Sequence, residues 1–233
     1  MTLSGLIRAS GIAGIAGSLC LVVGDVLITP VVDFGDQTLI EIRASIDASR
    51  LYASGLLGAL AVLCHVFAAW HAYLALRPGG PMLAALGVAT LAPMLIFAGI
   101  YHAVFVAQNF GAKVALAAGS AKELALSLPD DYSTLLLRGL VIPSSVLFTA
   151  VSGFAILTGR SLYPRWFMVV SPLVTLTIYM LLAVLVGSTA PALFSFALIG
   201  NVYNLAITAF FALSTTLLWN ARGTSLSSGR ITN

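Results

Sequence analysis

Apolar residues run along this chain in six long stretches: Leu6–Thr29, Ala48–Leu76, Met82–Phe110, Ser133–Leu157, Trp166–Gly187 and Ala192–Asn220. Each meets or exceeds the roughly 20 residues that an α-helix needs to cross hydrocarbon. The pattern predicts an all-α fold, a six-helix transmembrane bundle over residues 1–220. Residues 221–233, rich in Ser, Thr and Gly, are expected to form a disordered cytoplasmic tail. The breaks between stretches carry their own signals. Arg77-Pro78-Gly79-Gly80-Pro81 combines residues that stop one helix and start the next. Ser120 and Glu123 have the spacing of a capping box, and Pro129 follows. A short amphipathic helix over Ala121–Leu128 is therefore expected in the third connection.

Within the stretches, polar and small residues fall on shared faces. Positions seven, eleven or fourteen apart return to nearly the same side of a 3.6-residue helix. Gly11, Gly14, Ser18 and Asp25 share one face of the first stretch, and Arg50, Ser54, Gly58 and His65 drift slowly along the second. His102 accompanies Gly99 and Asn109 in the third, and Arg138, Ser145, Thr149 and Ser152 align in the fourth. Asn201, Asn204, Thr208 and Thr215 mark the sixth. Small residues let helices approach closely in a membrane, so these faces are expected to point at one another.

Charge then orients the bundle. Asp33, Asp36, Glu41 and Asp47 lie in the first connection, and Glu123, Asp130 and Asp131 in the third. The amino terminus, the second and fourth connections and the tail carry arginines and no acid. By the positive-inside rule the arginine-only side is cytoplasmic, which places both termini there, in a bacterial-type inner membrane. Net charge is +3, but the basic residues are dispersed at loop ends, so no patch exists to neutralise a run of phosphates and nucleic acid is not expected as a partner. Membrane lipids are. Cys20 and Cys64 both lie inside apolar stretches and read as packing residues, not a disulfide.

The eighth acid, Asp25, sits inside the first stretch, where an ionisable side chain is costly and marks a functional site by default. Counting 1.5 Å per residue from the outer ends puts Asp25 roughly 6 Å down and His102 roughly 12 Å down. Arg50 and Arg138 enter near the same boundary. Asp25, Arg50, His102 and Arg138 therefore form the candidate ligand-binding layer, in which one arginine pairs with Asp25 and the other faces an anionic ligand. The same arginines equally suit snorkelling to headgroups. Metal and cofactor chemistry find no motif: His65 and His71 are six apart, and H-E-x-x-H, C-x-x-C, G-x-S-x-G and a phosphate loop are all absent. The leading functional reading is a membrane protein that binds or passes a small amphipathic or anionic ligand through an outward-facing pocket. The alternatives are a membrane-embedded enzyme using Asp25 and His102 as an acid–base pair, and a structural or assembly subunit.

Three local sequences, Gly24-Asp25, Arg50-Leu51-Tyr52-Ala53-Ser54-Gly55 and Tyr163-Pro164-Arg165-Trp166, resemble a family of uncharacterised bacterial polytopic membrane proteins, a domain of unknown function. The resemblance implies a multi-span helical fold over most of the chain and no assigned activity.

Overall fold

The computed structural model describes residues 2–29, 38–119, 131–132, 134–187 and 192–219. Every regular element in them is helical. In chain order these are α1 (Leu3–Ile28), the short α2 (Leu39–Ala44), α3 (Ala48–Leu76), α4 (Pro81–Ala118), α5 (Ile142–Leu157), α6 (Pro172–Gly187) and α7 (Ala192–Leu218). A π-helical turn, Leu137–Val141, leads directly into α5. The predicted helix at Ala121–Leu128 and the tail lie outside the described residues.

Among the described residues, five helical segments are long and apolar enough to cross a membrane: Leu3–Ile28, Ala48–Gly79, Pro81–Ala118, Thr134–Leu157 and Asn201–Leu218. The fifth predicted span, Trp166–Gly187, is not realised as drawn. Instead of one helix from Trp166, the chain makes a 3₁₀ segment over Arg165–Val170, extends at Ser171 (φ −58°, ψ 143°) and starts α6 only at Pro172. Proline pushes the residue before it out of the α region, and its own missing N–H suits the first helical turn. The remaining 16 residues span about 24 Å, short of the hydrocarbon thickness.

The other helix ends follow from local chemistry. Thr2 caps α1, its hydroxyl accepting the Gly5 N–H at 3.2 Å. After the tight turn Arg77–Gly79, Gly80 adopts φ +102°, a left-handed value that L side chains rarely take, and Pro81 opens α4. In α2, Glu41 accepts the backbone N–H of Thr38 at 2.7 Å, and Lys113 donates to the Ala44 carbonyl at 2.6 Å from the far end of α4. α4 is 38 residues long, about 57 Å, so it outreaches a bilayer and offers α2 a packing surface at Ala112 and Ala115.

The side-chain distribution along α3 is the reverse of a water-soluble helix. Ser54, Gly58, Ala61, His65, Ala68 and Ala72 are buried, while Leu56, Leu63 and Val66 are 73%, 70% and 55% exposed. A continuous apolar strip of that kind is unfavourable in water and natural against lipid.

Cross-helix contacts give the direction of each helix. Arg50 lies beside Thr29, while His71 lies beside Ile7, so α1 and α3 are antiparallel. Thr215 approaches Gly11, Phe211 approaches Gly14 and Asn204 reaches Asp25, so α7 also runs antiparallel to α1. At the Arg8 end, Ile7, Phe148, Phe167, Phe210 and Phe211 fill the core. There the Arg8 guanidinium donates to the Trp219 carbonyl at 2.9 Å and lies over the Trp219 ring. The first and last described helices thus begin and end at the same end of the bundle.

Candidate functional site

At the opposite end, four helices converge on one carboxylate. Asp25 sits one turn before the end of α1. His102 of α4 donates from Nδ1 to Asp25 Oδ1 at 2.9 Å, and Asn204 of α7 donates from Nδ2 to Oδ2 at 2.6 Å. On the other side of the imidazole, Nε2 lies 2.7 Å from Ser54 Oγ and 3.2 Å from the Ser54 carbonyl of α3. The Ser54 hydroxyl is also 3.0 Å from the Gly24 carbonyl, back on α1. A carboxylate facing Nδ1 fixes which nitrogen carries a proton there, since a bare lone pair would repel it.

Glycines make room for the ring. A Cβ at Gly24 would fall 2.5 Å from His102 Nε2, and one at Gly58 would fall 2.9 Å from its Cδ2. The imidazole occupies a slot that any side chain at either position would fill. His102 is 3% exposed and Asp25 18%, so the carboxylate is the member of the pair with an open edge.

The arginines are used differently from the sequence expectation. Arg50 does not pair with Asp25; its Nη2 donates to the carbonyls of Thr29 at 2.8 Å and Val26 at 3.3 Å. Those carbonyls lie at the carboxyl end of α1, Val26 also accepting the Thr29 N–H at 3.3 Å, so a cation there complements the helix dipole. Arg138 is exposed on the π-helical turn. Ser145 and Ser152, which share its predicted face, are buried. The π turn adds residues per turn between Arg138 and Ser145, so seven positions no longer return to the same side. Three of the four predicted residues, Asp25, Arg50 and His102, gather at one end of the bundle, and the direct partner of Asp25 is the histidine. Asn204 and Ser54, which complete the site, had been read only as parts of packing faces.

The other two histidines are also paired with serines, at other levels of α1. His65 Nε2 is 3.2 Å from Ser18 Oγ. His71 Nδ1 is 3.0 Å from the Ile7 carbonyl, while its Nε2 is 2.5 Å from Ser214 Oγ, which is 2.7 Å from the Tyr163 hydroxyl. These networks hold neutral partners around each ring. Of these three levels, only that of Asp25 contains an acid among the described residues.

No curated protein and no solved structure matches the chain. A family model described as "Family of unknown function (DUF6796)" matches residues 2–217, nearly the whole of the helical region, and the chain belongs to that family.

Proposed function

We propose that this chain is a multi-span inner-membrane protein with both termini cytoplasmic, which binds or passes a small amphipathic ligand at the Asp25 end of the bundle. The observation that carries the reading is a carboxylate supported from α4 and α7, inside an apolar bundle, with 18% of its side chain still open. Burying a carboxylate with polar partners from two other helices is costly in an apolar medium, and such placements recur where membrane proteins handle ligands. The head of the ligand is positive or rich in donors. An anion would need an uncommitted cation in the site, whereas Arg50 is spent on carbonyls of α1 and Arg138 stands away on its π turn.

Two amphipathic ions of matched size and opposite charge, tetraphenylphosphonium and tetraphenylborate, separate these possibilities in nonionic detergent. Tetraphenylphosphonium should raise the melting temperature of the wild type increasingly with its concentration and leave Asp25→Asn unmoved. An equal shift in both proteins, or a larger shift with the borate, would overturn the reading.

One observation favours the enzymatic alternative. Asp25, His102 and Ser54 are connected in the order of a Ser–His–Asp triad. A nucleophile must also be approachable, and Ser54 is 0% exposed against Gly24. Ser54-dependent labelling by a fluorophosphonate would give the hydrolase reading precedence.

A further inference from the structure

The contacts of His102 bear on how many protons it carries. Consider first the neutral ring with its hydrogen on Nδ1, facing Asp25. Its Nε2 then presents a lone pair to two oxygens, Ser54 Oγ at 2.7 Å and the Ser54 carbonyl at 3.2 Å. The carbonyl can only accept, so that contact is repulsive. The Ser54 hydroxyl has one proton to share between Nε2 and the Gly24 carbonyl, 3.0 Å away. In the imidazolium the conflict disappears. Nε2–H donates to Ser54 Oγ with the carbonyl as second acceptor, Ser54 O–H donates to Gly24, and Nδ1–H donates to Asp25.

The surroundings agree with a net-neutral pair. From α1, the ring meets the Asp25 carboxylate and Gly24. From α3 it meets Ser54 and Gly58, both uncharged. From α7, Asn204 reaches Asp25, and the neighbouring Tyr203 hydroxyl is turned to Ser145 of α5 at 3.2 Å. The Arg50 guanidinium at this level is engaged with the Val26 and Thr29 carbonyls. Glycines on both sides leave the ring the room it occupies between α1 and α3.

We infer that the Asp25–His102 pair is a proton-binding site, occupied at rest, whose proton sits on His102 and exchanges through the open edge of Asp25. This rests on the chain being a membrane protein, and not on the identity or existence of a larger ligand. When the proton is held, it links α4 to α1 and α3 at once. When it leaves, Nε2 loses its donor toward Ser54, and the Asp25 charge is left without its counter-ion inside the bundle, the state that a positive head would meet. The polarity also runs opposite to that of an activated serine, where Nε2 must accept from the hydroxyl.

The test uses wild-type protein labelled with ¹⁵N-histidine and ¹³C-carboxyl aspartate, reconstituted in lipid near neutral pH. A dipolar contact between a histidine ring nitrogen and an aspartate carboxyl picks out His102 without any variant. Both ring nitrogens of that histidine should carry a directly bonded proton, and in Asp25→Asn the doubly protonated ring should vanish from the histidine spectrum. A single bonded proton in the wild type, or no histidine–aspartate contact, would overturn the inference. Two bonded protons that persist in Asp25→Asn would overturn the pairing. Neither result depends on tetraphenylphosphonium binding, so this proposal and the ligand reading can fail separately.

Discussion

At the scale of single residues, Asp25 separates a structural role from a decorative one. Asp25→Ala removes the acceptor of two hydrogen bonds, from His102 and Asn204, and leaves both groups facing each other across a gap. Removing one member of a buried pair typically costs 3–5 kcal/mol, and here about 3 kcal/mol is expected because the imidazole can shed its proton in response. Asp25→Asn preserves the shape and one acceptor, so it should melt between wild type and the alanine variant. Circular dichroism melts in detergent check the order, and three superimposable curves would show that the carboxylate is simply solvated. The sequence made Asp25 and His102 legible because ionisable side chains are rare inside apolar stretches. It hid Asn204, whose amide looks like ordinary packing material.

At the scale of elements, the histidine of the Arg8 end does the joining. His71 of α3, Ile7 of α1, Ser214 of α7 and Tyr163 of the connection before α6 form one chain of hydrogen bonds. Burial against Phe167 and Phe210 pushes the Tyr163 phenol far above its ordinary range, opposed by its bond with Ser214. Being raised, it stays protonated at any ordinary pH and serves as a constant donor. Ser214→Ala leaves both the phenol and His71 Nε2 buried without a partner, which should cost about 1–3 kcal/mol. Tyr163→Phe in that background should cost little more, since it removes a group already orphaned. A double-mutant cycle by thermal denaturation reads the coupling, and additive losses would mean that the chain is not a unit. The apolar stretches predicted α1, α3, α4 and α7 well because length and periodicity suffice to call such helices. They failed at α6 and before α5 because those breaks are local. A Ser171–Pro172 step and a π turn leave the hydropathy of a stretch unchanged while altering where the helix begins and which way its residues face.

At the scale of the whole molecule, the charge asymmetry and the contacts can be tested against each other. Arg8 bonds to Trp219, and Leu162 returns to Ala75, so α1 begins, α3 and α5 end, and α7 ends at one end of the bundle. Since α7 passes Asn204 beside Asp25 before reaching Trp219, the chain must travel back to the Asp25 end between residues 158 and 192. Only α6 and the 3₁₀ segment before it lie on that path among the described residues. The return is therefore made by the 3₁₀ segment Arg165–Val170 followed by the 16-residue α6, and not by one continuous helix. Single cysteines at Thr2, Ser45 and Thr158, introduced after replacing Cys20 and Cys64 by alanine, report the outcome, as all three positions are exposed. An impermeant thiol reagent on intact cells should label the cysteine at Ser45 alone, with the other two reacting only after lysis. The charges predict this because acids cluster near Ser45 and arginines at Arg77 and Arg160. The contacts predict that Thr2 and Thr158 agree with each other whichever side they occupy. Labelling of all but Ser45 would reverse the orientation and keep the fold. Labelling that splits Thr2 from Thr158 would contradict the antiparallel order of α1, α3 and α5, and with it the meeting of four helices at Asp25.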